Sequence, residues 1–134
     1  SWPLWRVPDG TFFECLGLMR VILPDTVEML GAGAFYGCTA LCDISLGEGL
    51  RAIGESAFEG CSALEEITLP EGLETLGGSA FMDCGALRIC RLPASLAYIG
   101  EDAFAQCPNL CLVVSKDSYA ERYAIENELA FRHE

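Results

Sequence analysis

Eight cysteines and a single histidine are the side chains in these 134 residues with the most reactive chemistry. Cys38-x-x-x-Cys42 and Cys107-x-x-x-Cys111 resemble two halves of a four-thiolate zinc site, whose bonds of about 2.3 Å require all four sulfurs to converge on one point. Nucleophilic catalysis by a thiol or hydroxyl needs a base within hydrogen-bond reach. The one imidazole, His133, stands one residue from the end of the chain, where a frayed terminus is a poor place to preorganise a reaction. No Gly-Lys-Ser phosphate loop and no calcium loop occurs. These residues predict no enzyme, no metal site and no cofactor. The carboxylates Glu48, Glu55, Glu59, Glu71, Asp83, Glu101 and Asp102 fall mainly at turns and variable positions. They read as a solvated face, or as a surface that favours a basic partner and binds it more weakly as salt rises.

Composition narrows the classes further. At 51% hydrophobic and 21% charged the chain can bury a core and is expected to fold. Eight Lys and Arg against 20 Asp and Glu leave a net charge of -12, the wrong sign for displacing counterions from phosphates, so nucleic-acid binding is not expected. The longest charge-free stretch, Met29 to Cys42, is 14 residues, short of the roughly 18 to 20 that a spanning helix needs, so no membrane insertion is expected. The chain opens at Ser1 without a charged segment leading into an apolar one, which predicts a mature chain or an excised fragment.

What positions the cysteines is a repeat. Ala34-Phe35, Ala57-Phe58, Ala80-Phe81 and Ala103-Phe104 follow one another at 23 residues, and Phe12 extends the Phe column backwards. Cys15, Cys38, Cys61, Cys84 and Cys107 keep the same step, as do Leu18, Leu41, Leu64, Leu87 and Leu110. Further columns run Val21, Ile44, Ile67, Cys90, Val113; Leu23, Leu46, Leu69, Leu92; Leu4, Val27, Leu50, Leu73, Leu96; and Val7, Leu30, Ile53, Leu76, Ile99. Gly31, Gly54, Gly77 and Gly100 follow the last of these, with Pro8 in the first copy. Within one window Leu64-x-x-Ile67-x-Leu69-Pro70 alternates and is stopped by Pro, which predicts a short strand with Ile67 and Leu69 inward. Gly77-x-x-Ala80-Phe81-x-x-Cys84-x-x-Leu87 has spacings near three and predicts a compact helical or turn-like return.

No such unit can bury its apolar side alone, but coils stacked at about 4.8 Å turn each column into an interior ladder. The expected fold is an α/β repeat solenoid, a curved array with a parallel strand ladder, one domain over 1–134 with repeats at about 4–118 and a cap at 119–134. The two Cys-x-x-x-Cys pairs then lie three coils, or roughly 14 Å, apart, too far for one zinc ion. Neighbouring ladder cysteines come within the Cα range for a disulfide, yet parallel side chains in a packed column point alongside one another, and small buried thiols packing as hydrophobes is the simpler reading. Cys42 and Cys111 belong to the variable column Met19, Cys42, Glu65, Arg88, Cys111 and are expected to be the reactive thiols.

The array needs ends. The lattice fails at Ser115 and Lys116, and Ser118-Tyr119-Ala120-Glu121 has capping-box spacing, which predicts a helix from Tyr119 to Asn127 with Ala120, Tyr123 and Ala124 on its buried face. Leu129 and Phe131 are expected to pin the tail to the last coil. At the other end Trp2 and Trp5 flank Leu4, either as a short cap or as a former interior junction of a longer array.

Alternation places two columns on the open face of the ladder: Arg20, Asp43, Glu66, Ile89, Leu112 and Ile22, Ser45, Thr68, Arg91, Val114. Apolar side chains gather in the last two coils, so Ile89, Arg91, Leu112 and Val114 form the expected partner-binding patch. The alternative is that Leu112 and Val114 lie beneath the capping helix or tail.

The string Ile53-Gly-x-x-Ala57-Phe58-x-x-Cys61-x-x-Leu64-x-x-Ile67-x-Leu69-Pro70-x-x-Leu73 resembles the BspA-type, or Treponema-type, leucine-rich repeat, over nearly the whole chain. The segment from Val113 through Ser118-Tyr119-Ala120-Glu121 to Ala124 is similar to the closing segment of such arrays. Members are mostly surface or secreted proteins of host-associated bacteria and of some protists. The resemblance therefore implies an adhesion or interaction module for a protein or glycoprotein ligand, such as host extracellular matrix, at the cell surface. A structural spacer within a larger repeat protein, or a cytoplasmic interaction protein, are the alternatives.

Overall fold

The computed structural model describes residues 5–134, so Trp2 and Leu4 lie outside the described residues. Each coil contributes two strands. A long-side strand recurs as β2 (Arg20–Ile22), β4 (Asp43–Ser45), β6 (Glu66–Thr68), β8 (Ile89–Arg91) and β10 (Cys111–Val114). A two-residue strand recurs as β1 (Arg6–Val7), β3 (Met29–Leu30), β5 (Ala52–Ile53), β7 (Thr75–Leu76) and β9 (Tyr98–Ile99). The chain ends in α1 (Tyr119–Glu126) and β11 (Phe131–His133). All pairing is parallel, and the short strands make one five-stranded ladder, β1-β3-β5-β7-β9, that single-strand repeats did not predict.

The return side is turns, not helix. Two positions in each coil adopt a left-handed backbone, Ser56 and Gly60 in one coil, Ser79 and Asp83 in the next, and Asp102 and Gln106 in the last. A left-handed residue every four breaks any helix, and it frees alternate amides to bond the neighbouring coil: Phe35, Phe58 and Phe81 N–H donate to the carbonyls of Ala57, Ala80 and Ala103 at 2.7–2.8 Å. The glycine after each short strand exists because coils touch there: a Cβ on Gly54, Gly77 or Gly100 would sit within 2.7 Å of the previous coil's backbone nitrogen.

The interior follows the lattice. Phe35, Phe58 and Phe81 are fully buried, and rings from Phe12 to Phe104 stack at 5.2, 5.3, 5.2 and 5.5 Å. At the C-terminal end Ser118 Oγ accepts the Glu121 amide and starts α1. The reciprocal bond is displaced by one residue, since Glu121 Oε1 accepts from Asp117 N–H at 2.9 Å. Ala120 and Ala124 are buried, and Leu129 and Phe131 pack on the core as expected. The tail does more than pack: β11 pairs with β10 and continues the ladder by one strand.

Candidate binding face

The thiol column is built by a bond the period alone does not announce. Sγ of Cys38, Cys61, Cys84 and Cys107 donates to the carbonyls of Phe12, Phe35, Phe58 and Phe81, one coil back, at 3.0–3.3 Å. Those carbonyls already accept the amide of the cysteine in their own coil, so the S–H uses their second lone pair. All eight cysteines are free. Burial, reinforced by the neighbouring thiol Cys38, pushes the Cys61 thiol up to about 12, and burial raises Cys84 and Cys90 as well. These thiols are inert spacers with a donor, not nucleophiles. Cys42 is exposed and Cys111 half-exposed. Among the described residues no group of three His, Cys, Asp or Glu is arranged to hold a metal ion.

His133 is not on a frayed end. β11 carries it, and its Nε2 bonds Glu121 Oε2 across to α1, which holds the Glu121 carboxyl below its ordinary value. Beside it Ser115 Oγ donates to Glu134 Oε2 at 2.6 Å. The contact staples the cap.

On the strand side Ile89 and Arg91 are half-exposed and lie in the outward columns. Glu66 opposes Ile89 in register and bonds Arg88 at 2.8 Å, with Arg91 at 3.9 Å. Leu112 and Val114 are not on this face. Both have no solvent exposure and belong to the core. The reason is a register slip. Glu66 pairs with Ile89 at an offset of 23, but Ile89 pairs with Cys111 and Cys90 with Leu112, an offset of 22. A one-residue slip exchanges the two faces of a strand, so Leu112 takes the inward place opposite Cys90 and the lattice residue Val113 goes to the Arg91 side. The expected patch is thus reduced to Ile89 and Arg91, and the surface-facing roles of Leu112 and Val114 are withdrawn.

A second feature of this face lies one coil earlier. The long strands form two sheets, β2-β4 and β6-β8-β10-β11, with no pairing between β4 and β6 among the described residues. Between them is a cleft of about 570 Å³ floored by Ile44 and Ile67 and walled by Ser45, Thr68 and the carboxylates of Asp25, Glu48, Glu66 and Glu71. Sequence reasoning did not single it out. Two signals stood in the columns: Gly47 replaces the proline of Pro24, Pro70 and Pro93, and Asp43 and Glu66 are consecutive like charges.

A model of the BspA type leucine rich repeat region matches residues 5–128 in six copies. This chain belongs to the BspA-type leucine-rich repeat family. Its likeness extends to solved structures. A leucine-rich repeat protein of T. pallidum is 39% identical with a TM-score of 0.81, over 84% of this chain and 53% of its own. A leucine-rich cell surface protein of Faecalibacterium prausnitzii is 35% identical with a TM-score of 0.82, over 90% of this chain and 32% of its own. A leucine-rich repeat protein of Bacteroides ovatus, at 24% identity and a TM-score of 0.66, shares the fold. This chain thus spans about half the length of the first of these BspA-type or leucine-rich relatives and a third of the second. No curated protein sequence matches it. Among the described residues no helix is long and apolar enough to cross a membrane.

Proposed function

We propose that residues 1–134 act as one non-enzymatic module that binds a protein or glycoprotein partner, of the kind found in extracellular matrix, through the long-strand face, at the cell surface or after secretion. The observation that carries this reading is the contrast between the two sides of each long strand. Inward positions repeat in kind, whereas the outward residues change from coil to coil through Arg20, Asp43, Glu66 and Ile89, and through Ile22, Ser45, Thr68 and Arg91. A constant scaffold with a variable, half-open face is the arrangement in which the fold is conserved by packing and partner choice is written on the surface. The cell-surface description of the F. prausnitzii relative favours the location.

The test is binding of the purified chain to immobilised matrix proteins and mucins, beside an Ile89→Asp, Arg91→Glu variant whose circular dichroism matches the parent. Both side chains are half-exposed, so neither substitution empties a core site. Saturable binding that falls roughly tenfold or more in the variant supports the module. Binding that is unchanged in the variant removes the face from consideration, and no binding across the panel removes the adhesion reading.

A further inference from the structure

The coils are joined unequally on their two sides. On the return side the bonds from Gly33, Phe35 and Gly37 to the next coil are all 2.8–2.9 Å, and Phe35 and Phe58 stack at 5.3 Å, within the 5.2–5.5 Å range of the column. On the long-strand side a regular pattern lapses at one junction. Leu23, Leu69 and Leu92 N–H donate to the carbonyls of Ser45, Arg91 and Val113 at 2.9, 3.0 and 2.9 Å, and Leu46 has no such bond to Thr68. Cys42 and Asp43 share the Met19 carbonyl, Arg88 and Ile89 share that of Glu65, and Glu65 and Glu66 make no corresponding bond to Cys42. The solenoid is wedged open here, and each lip carries a short row of backbone donors and acceptors with no partner from the other.

Two features accompany the wedge. Gly47 sits at φ +72°, a conformation closed to the prolines at the equivalent positions, and it lies against the carbonyls of Leu23 and Pro24 in the coil before. Asp43 and Glu66 would also face each other directly if the lips closed, an unfavourable like-charge pair. Each turns away, Asp43 to Arg20 at 2.9 Å and Glu66 to Arg88 at 2.8 Å.

Unpaired strand edges are templates for another strand. Both lips run in the same direction, so one added strand parallel to them would complete both ladders. Three extended residues span roughly 10 Å, the length of β4 or β6. The central one would point down between Ile44 and Ile67, where the return side is already closed, so it must be small. Its neighbours would point outward among carboxylates: among the described residues no Lys or Arg lines the cleft, and Glu66 is the one acid there with an arginine partner.

We propose that the cleft between β4 and β6 takes an extended basic–small–basic segment of a partner protein as an added parallel strand. The cleft lies one coil before the Ile89 and Arg91 patch and meets it at Glu66, but it is probed by a different ligand, so failure of the matrix panel would not bear on it. The probe is a blocked, fluorescein-labelled Lys-Ala-Arg-Ala-Lys peptide titrated with the intact chain by anisotropy, alongside the same peptide N-methylated at alternate residues. Binding should weaken roughly tenfold or more on N-methylation, and it should weaken severalfold between about 20 and about 150 mM salt. A Glu48→Gln, Glu71→Gln variant, changed only at exposed positions that keep a side-chain acceptor, should also lose severalfold. Amide exchange at Leu46, Glu66 and Thr68 should slow on binding. Equal affinity for the N-methylated peptide would reduce the contact to surface charge and overturn strand addition. So would protection located away from the lips, or no binding at about millimolar peptide.

Discussion

Phe58→Ala offers the sharpest test of the stacked core. The ring has no solvent exposure and lies between Phe35 at 5.3 Å and Phe81 at 5.2 Å. Removing it leaves a cavity that the coils cannot close, because the return-side hydrogen bonds on either side fix their spacing. Burying Phe in such a site is worth about 3–5 kcal/mol. Two stacked partners add about 0.5–1.5 kcal/mol each beyond area, which places the loss in the upper half of that range. Phe12 is half-buried and among the described residues has one ring partner, at 5.2 Å, and Phe12→Ala should cost about 1–2 kcal/mol. Urea unfolding followed by circular dichroism reads both, and with slopes of about 1–3 kcal/mol/M the Phe58 variant should lose on the order of 2 M in midpoint. Equal losses at the two positions, or a loss below about 1 kcal/mol at Phe58, would refute a ladder in which each ring depends on both neighbours.

Two further outcomes follow from the thiols and the cap. With a thiol reagent at mildly alkaline pH, Cys42 should react first and Cys61, Cys84 and Cys90 only after unfolding, with all eight titrating in denaturant; early reaction of Cys61 would contradict its burial. Because the folded-state Glu121 carboxyl titrates below its ordinary value, its contact with His133 contributes fully above the unfolded value and is lost as pH falls through the folded one. The difference in thermal midpoint between the parent and Glu121→Gln should therefore be present at neutral pH and vanish well below about pH 4; a difference that persists in acid would assign the contact to packing.

The lattice was legible because it is written in inward side chains, and side chains are what a period reports. Phe58, Cys61 and Leu64 recur because each must fill the same space in every coil. The two-residue strands and β11 were not legible, since pairs such as Thr75-Leu76 carry too little alternation to announce a strand. The slip at β10 escaped for a related reason. Leu112-Val113-Val114 is apolar on both faces, so either register satisfies the hydrophobic pattern, and pairing with β11 on one side and β8 on the other settles the choice. The opening between β4 and β6 is a matter of backbone bonds. Its only traces in the residues are Gly47 in a proline column and two acids in succession, and neither disturbs the period.

The even step of the aromatic column has a genetic consequence. Rings that repeat at 5.2–5.5 Å present the same upper and lower surface all along the aromatic column, so a coil copied or excised as a unit of 23 codons leaves that column continuous. The terminal junction has no such freedom. The slipped pairing of β8 with β10, the α1 cap and β11 form a seam that fits one predecessor, and a coil added or removed upstream leaves it intact.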